Sequence, residues 1–174
     1  MLQERNAAVK LAASETASGP VLATGRIIGS LCVLTATDGD AKGAMLASWV
    51  SQASFNPPGL TVAVKKDRAI ESLLPVGSNF VLNILAEGKD KKIMKEMVKQ
   101  FAPGEDRFEN VDVTMSEKSG AMIFVDAAAY VECTVNQRME AGDHWVVYAT
   151  VSDGKVLDDS AQSAVHFRKV GTYY

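Results

Sequence analysis

Residues 43–58 read GAMLASWVSQASFNPP, and this stretch decides how the chain is interpreted. Small and apolar residues typical of a strand give way to a serine-rich run that ends at Pro57 and Pro58. We interpret it as a strand that enters an irregular loop. Small side chains let a planar ligand approach the backbone, and Ser48, Ser51 and Ser54 are donors for phosphate or ring oxygens. A serine-capped turn that simply leaves a strand is the alternative interpretation.

The flanking segments are typical of strands. Residues 26–36 are apolar on both alternating faces, which predicts a strand buried on both sides. The run Asp38-Gly39-Asp40 is a turn signal and predicts a hairpin into residues 43–50. Further strands are predicted at residues 60–65, 80–85, 122–137 and 144–153, the last two joined across Ala141-Gly142-Asp143.

Two short helices are predicted between the strands. Asp67 is a suitable N-cap for a helix that ends at Pro75 and Gly77. Residues 90–101 place four apolar side chains at helical spacing, namely Ile93, Met97, Val98 and Phe101. Because strands and helices do not alternate regularly, a mainly β, antiparallel barrel with short inserted helices fits better than a doubly wound sheet.

The composition excludes several classes of protein. The 174 residues suffice for one domain, and a net charge of −3 argues against a nucleic-acid binder. No apolar run approaches the ~20 residues of a membrane span, and no secretory signal opens the chain, so we expect a cytoplasmic protein. Cys32 and Cys133 are expected to be reduced thiols, with one long-range disulfide as the alternative.

Common catalytic motifs are absent from the sequence. It contains no GxGxxG, GxxxxGK[ST], HExxH or GxSxG motif, so a Ser–His–Asp hydrolase lacks its nucleophile elbow. Two histidines and two isolated cysteines hardly supply a metal site. We therefore expect no bound metal.

Charged and aromatic residues mark two candidate ligand contacts. Lys65, Lys66 and Arg68 follow a strand beside a helix start, where cations suit a phosphate, although a solvated cluster is the alternative. Arg107 and Phe108 lie on a predicted loop and can cover a flat ring by charge and stacking. A surface ion pair between Asp106 and Arg107 is the other interpretation.

One histidine lies at the mouth of a predicted hairpin. His144 could meet a ligand there, with Asp143 as its partner if the turn brings the two together. A purely structural histidine is the alternative. Trp49 and Trp145 are expected to be core or interface anchors.

The order of these signals along the chain carries a resemblance. The ordered pieces are Gly29-Ser30-Leu31, Val33-Leu34-Thr35, Gly43, Ala47-Ser48-Trp49, Ser51-Gln52-Ala53-Ser54-Phe55, Pro57-Pro58, Asn83-Ile84-Leu85, Phe101, Asp106-Arg107-Phe108, Glu132-Cys133 and Gly142-Asp143-His144. Together they closely resemble the flavin reductase-like family, which has an FMN-binding split barrel with Greek-key strands. Residues 47–55 (ASWVSQASF) and 166–174 (HFRKVGTYY) look like the C-terminal flavin reductase module of cyanobacterial flavodiiron proteins.

The resemblance implies a domain organisation and partners. Residues 23–174 would form the FMN-binding domain, and residues 1–22 would be a linker from flavodoxin-like and di-iron domains. FMN, with FAD as the alternative, would bind without a covalent link in a homodimer. Reduced nicotinamide, NADH or NADPH, would donate the hydride.

The resemblance also implies the site residues. The backbone of Met45, Leu46, Ala47, Ser48 and Trp49 would line the isoalloxazine ring, while Ser51, Gln52, Ala53 and Ser54 would hold the ribityl chain and phosphate. Lys65, Lys66 or Arg68 would neutralise that phosphate, and Asn83 joins the cofactor-binding set. Arg107, Phe108 and His144 would lie near the ring or the nicotinamide.

The implied activity is that of an NAD(P)H:flavin oxidoreductase that passes electrons to a sibling domain or a free acceptor. A flavin accepts hydride by itself, so no side chain is expected to act as acid or base. Two alternatives remain: an FMN-binding electron-transfer module fed by a protein donor, and a structural, dimer-forming split barrel without cofactor.

Overall fold

The computed structural model describes residues 17–99 and 106–170. Their helices are α1 (Gly19–Thr24), a 3-10 helix (Ala69–Leu73) and α2 (Asp90–Met97). Their strands are β1 (Gly29–Ser30), β2 (Cys32–Asp38), β3 (Ala41–Ala47), β4 (Val50–Phe55), β5 (Pro58–Lys65), β6 (Asn79–Leu85), β7 (Val113–Met115), β8 (Met122–Phe124), β9 (Ala127–Ala141), β10 (His144–Val156) and β11 (Val165–His166). The described residues fall into two compact units, of which the larger is Ser30–Ala164.

The larger unit is built on an antiparallel sheet. Within the described residues seven strands pair in the order β3-β2-β6-β9-β10-β5-β4. β3 and β4 are consecutive in the chain yet form opposite edges, and the Ala63 amide of β5 donates to the Trp49 carbonyl between them at 3.0 Å. The prediction of a mainly β, antiparallel split barrel with short inserted helices is confirmed.

The first hydrophobic core fills the inside of this barrel. Leu60, Val62 and Val64 of β5 are buried there, as their alternation predicts. The 3-10 helix contributes Ile70 and Leu73 to the same core. Sheet and helix therefore share one apolar interior, which stabilises the barrel by removing these side chains from water.

A second core lies on the outer face of β2 and β3. It joins Val33 to Ile93 and Met97 of α2 and to Phe124 of β8. With a core on each side, β2 is buried from Cys32 to Ala36, which confirms the prediction of a strand covered on both faces.

Several predicted strand bounds are wrong. The predicted strand at residues 26–36 is interrupted at Leu31, whose amide donates to the Ala164 carbonyl at 2.9 Å. The predicted strand at 43–50 ends at Ala47. Residues 122–137 form two strands, because the Val125 amide donates to the Asp112 carbonyl and the chain then turns into β9.

The predicted helices also need correction. Asp67 is not an N-cap: it has a φ of 64°, and the 3-10 helix begins two residues later. α2 ends at Met97, and Val98 is 63% exposed because the helix does not carry it round to the buried face. Phe101, predicted on that face, lies outside the described residues.

The smaller unit contains residues 17–29 and 165–170 among those described. A Cβ at Gly25 would lie 2.6 Å from the backbone of Val170, so only glycine fits there. The Arg168 guanidinium donates to the Ile27 carbonyl at 3.3 Å. α1 begins at Gly19, inside the predicted linker of residues 1–22, whose first sixteen residues lie outside the description. No helix among the described residues is long and apolar enough to cross a membrane.

Candidate functional site

The corner between β3 and β4 is the centre of the candidate site. Ser48 is only 4% exposed, and its buried Oγ has no hydrogen-bond partner among the residues that the structure describes. Buried hydroxyls normally have a partner, so one without a partner in the protein suits a bound polar group. The next residue, Trp49, faces His144, with ring centroids 4.8 Å apart.

His144 begins β10 and is held from two sides. It lies opposite Lys65 of β5 in the antiparallel register. Its Nδ1 lies 2.8 Å from Oδ1 of Asp143, because the turn at Gly142, with a φ of 60°, brings the neighbouring side chains together. The predicted Asp143–His144 pair is therefore confirmed. The hydrogen bond to His144 holds the pKa of the Asp143 carboxyl below its ordinary value.

Three basic residues lie near this corner. Lys65 ends β5, and Arg68 follows the left-handed turn at Asp67. Arg107 donates from Nη1 to the Ala44 carbonyl of β3 at 3.4 Å. Burial, and after it the charge of Arg68, lowers the pKa of the Arg107 guanidinium. An anion near Arg68 and Arg107 would therefore relieve their repulsion.

The serine-rich segment is an ordered edge strand, so the predicted irregular loop at residues 51–58 is wrong. β4 pairs along β5 with Ser51 opposite Thr61 and Ser54 opposite Gly59, and the register shifts at Ala53. The hairpin turns at Asn56 and Pro57. The side chains of Ser51, Gln52 and Ala53 are exposed.

The same register separates two groups that were expected to share one phosphate. Lys65 lies six residues beyond Gly59 on β5, or about 20 Å at ~3.3 Å per residue. Ser54, opposite Gly59, is therefore too far from Lys65 for both to contact one phosphate. Ser51, two positions from Trp49, lies nearer the corner.

The three residues before Ser48 turn their side chains into the protein. Met45 and Ala47 pack in the barrel core, and Leu46 packs in the second core. A ligand at this corner would therefore meet backbone at these positions, as the resemblance implies.

Two predicted contact residues are held by other parts of the protein. Asn83 is fully buried: its Nδ2 donates to the carbonyls of Val33 and Met122 at 3.2 and 3.1 Å, and its Oδ1 accepts from the Phe124 amide at 2.9 Å. Phe108, 6% exposed, packs against Phe124 in the second core. Both side chains are thus held by contacts within the protein, and their assignment to the cofactor-binding set stays a prediction.

Sequence reasoning missed a group beside the corner. Glu71 accepts from the indole of Trp145 and from Arg138, which sits 67 positions away in the chain. Trp145 was expected to be an anchor, and it is half-buried against the barrel core. No local pattern points to the contacts of Glu71 with Arg138 and Trp145, since these partners are distant in sequence.

The two cysteines are buried, free thiols, so the disulfide alternative is wrong. Burial raises the pKa of both Cys32 and Cys133 to about 12. Among residues 17–99 and 106–170, no group of three or more His, Cys, Asp or Glu side chains is placed to hold a metal ion.

A split barrel with a backbone-lined, basic and aromatic corner defines the class of flavin-binding split barrels. The flavin reductase like domain matches residues 24–173, and the chain belongs to that family. Diflavin flavoprotein A 1 of Synechocystis sp. is 59% identical over 152 residues, which cover 87% of this chain and 26% of that protein. The chain thus spans about a quarter of the length of the curated relatives it matches.

Solved structures share the fold. NADH:FAD oxidoreductase SgcE6 of Streptomyces globisporus C-1027, in complex with NAD and FAD fragments, gives a TM-score of 0.76 at 23% identity and covers 86% of each chain. Flavin reductase HpaC complexed with NADP+ gives a TM-score of 0.71 at 18% identity, covering 87% of this chain and 92% of that one.

Proposed function

We propose that this chain is an NAD(P)H-dependent flavin reductase module that binds FMN at the Ser48–Trp49 corner. The observation that carries the proposal is the buried Ser48 hydroxyl, which has no partner among the described residues and lies next to the Trp49–His144 ring contact. In a member of the flavin reductase family, a flavin is the natural partner for that hydroxyl.

The residues present fit an anionic flavin. Backbone groups around Ala47 and the Ser48 hydroxyl suit the polar edge of the ring, and the Ser51 hydroxyl suits the ribityl chain. Lys65 and Arg68 suit the phosphate, as charge-assisted hydrogen bonds to phosphate are strong. Ser54 no longer belongs with that phosphate, because the strand register separates them.

When bound, the flavin accepts a hydride equivalent from the reduced nicotinamide. The protein's own contribution is then positioning: the Trp49 and His144 rings fix one wall of the site, and the buried corner excludes water from Ser48. Hydride transfer to a flavin requires no side-chain acid or base.

The named relatives support the chemistry and suggest the setting. One relative is called a diflavin flavoprotein, and one structural neighbour holds NAD and FAD fragments. We propose FMN over FAD, a homodimer, and a tether to flavodoxin-like and di-iron domains that receive the electrons in the cytoplasm.

Flavin titration tests this proposal. Quenching of flavin fluorescence by the purified chain should give a dissociation constant for FMN well below that for riboflavin, because riboflavin lacks the phosphate that Lys65 and Arg68 would hold. FAD is titrated alongside to test the choice of FMN. Equal affinity for FMN and riboflavin would contradict the phosphate assignment, and binding of neither would contradict the proposed function.

A further inference from the structure

The carboxylate of Glu71 joins three parts of the larger unit. Its Oε1 accepts from Nε1 of Trp145 at 2.7 Å and from Nη2 of Arg138 at 2.8 Å. Its Oε2 accepts from the backbone amide of Asp67 at 2.9 Å. The 3-10 helix, the β9–β10 hairpin and the turn after β5 thus meet at a single side chain.

The ring of Trp145 lies against two cations in the same cluster. Arg138 Cζ is 4.5 Å from its centroid and Lys66 Nζ is 5.2 Å from it. Lys66 also forms an ion pair with Glu140. We call Glu71, Arg138 and Trp145 the Trp145 clamp.

The clamp fixes the turn that precedes Arg68. The Asp67 backbone is left-handed, a conformation that is unfavourable for residues other than glycine. Two hydrogen bonds hold it: the Asp67 amide donates to Glu71, and the Lys66 amide donates to the Asp143 carbonyl at 3.0 Å. The turn is therefore tied to both the 3-10 helix and the hairpin of His144.

The clamp also fixes the start of β10. Trp145 follows His144 directly, so anchoring its indole to Glu71 restrains the backbone from which the His144 ring meets Trp49. The Glu71 carboxylate thus restrains both the Arg68 cation and the His144 ring of the candidate site, although Glu71 is not itself part of that site.

We propose that Glu71 is a positioning residue of the flavin site, which holds Arg68 and His144 in place before the cofactor binds. This inference rests on the proposed function. A preplaced cation loses less freedom when it meets a phosphate, and the gain appears as affinity.

The contacts of Glu71 favour its ionised form. The hydrogen bond from the Asp67 amide, followed by those from Arg138 and Trp145, lowers the pKa of the Glu71 carboxyl in spite of partial burial. The negative charge of Glu71 therefore agrees with its position as the acceptor of these three hydrogen bonds.

The experiment compares Glu71→Gln with a control variant, Glu96→Gln. Glu96 lies on α2, which packs in the second core, and it forms an ion pair with Lys99. The control therefore also removes a carboxylate from a short helix. Glu71→Gln should raise the dissociation constant for FMN about fivefold or more, since a charge-assisted contact is weakened. Glu96→Gln should bind like the wild type. The hydride-transfer rate at saturating FMN should change less than twofold in both.

A double-mutant cycle with Arg68→Ala separates positioning from general structure. If Glu71 acts in part through Arg68, Glu71→Gln should have a smaller effect on FMN affinity in the Arg68→Ala background than in the wild type, and likewise in the His144→Ala background. Trp145→Phe, which keeps the ring but removes the indole donor, provides a milder variant that should raise the dissociation constant about twofold.

Two results would overturn the inference. One is an unchanged affinity for FMN in Glu71→Gln while the emission of Trp145 shifts, since the clamp would then be broken without effect. The other is strict additivity with both Arg68→Ala and His144→Ala, which indicates a general structural role. If the wild type itself fails to bind FMN, the proposed function fails, and the inference fails with it.

Discussion

The rings of Trp49 and His144 lie 4.8 Å apart between centroids, with 41° between their planes. Trp49 belongs to the corner between β3 and β4, and His144 begins β10. The contact brings the buried Ser48 hydroxyl and the hairpin of the Asp143–His144 pair into one site. Its integrity is therefore the first property to test.

Replacing His144 should weaken flavin binding through this contact. His144→Ala removes the ring that faces Trp49, and aromatic contacts of this kind contribute about 0.5–1.5 kcal/mol. We expect the dissociation constant for FMN to rise about three- to tenfold in His144→Ala and to recover largely in His144→Phe, as measured by flavin fluorescence. If His144→Ala binds FMN like the wild type, the ring contact is no part of the site.

Ser48 and Ser116 form a matched pair of buried serines. Ser116 Oγ donates to Glu132 at 2.9 Å, whereas Ser48 Oγ has no partner among the described residues. Ser116→Ala should therefore lower the free energy of unfolding by about 1–3 kcal/mol and leave FMN affinity unchanged. Ser48→Ala should leave stability unchanged or raise it slightly, while FMN binds more weakly.

Urea unfolding and flavin titration of the two serine variants check this contrast. A Ser48→Ala variant that loses more stability than Ser116→Ala would show that the Ser48 hydroxyl serves the fold and not a ligand.

Asn83 should serve stability alone. Asn83→Ala removes three buried hydrogen bonds that join β6 to its neighbours, two to β8 and one to β2, and should lower the free energy of unfolding by about 3–5 kcal/mol. Asn79→Ala removes one exposed hydrogen bond to Thr134 and should lower it by less than about 1 kcal/mol. If Asn83→Ala folds with wild-type stability but fails to bind FMN, Asn83 is a ligand contact after all.

The contribution of Glu71 to stability should depend on pH. Its pKa is lowered in the folded protein, mainly by the Asp67 amide, so ionised Glu71 stabilises the fold at pH values above the ordinary value of about 4.3. That contribution is lost as the pH falls through the lowered pKa. The stability difference between wild type and Glu71→Gln, measured by urea unfolding, should be largest near pH 6–7 and shrink towards pH 3. A difference that grows on acidification would contradict the assignment.

The features of the fold that neighbouring residues determine could be predicted from the sequence. Residues 32–36 are apolar on both faces, which predicted a core on each side of β2. The turns at Gly39 and Gly142 predicted the β2–β3 and β9–β10 hairpins, and the structure contains both. The sequence predicts a loop where β4 lies, because an exposed edge strand made of serine, glutamine and alanine has no apolar face to indicate it.

The site was only partly predictable for a related reason. Ser48 and Trp49 are neighbours in the sequence, so this part of the candidate site could be predicted from it. The roles of Asn83 and Glu71 depend on partners far away in the chain, such as Met122 and Arg138. Only the folded register brings those partners together.

Anaerobic reduction tests the central claim most directly. The FMN-loaded chain is mixed with NADH or NADPH in a stopped-flow instrument, and the visible absorbance of the flavin is followed. We expect one of the two nicotinamides to bleach the flavin band at a rate that saturates with its concentration. Bleaching by a reduced protein donor such as a ferredoxin, with neither nicotinamide effective, would contradict the reductase and favour an electron-transfer module.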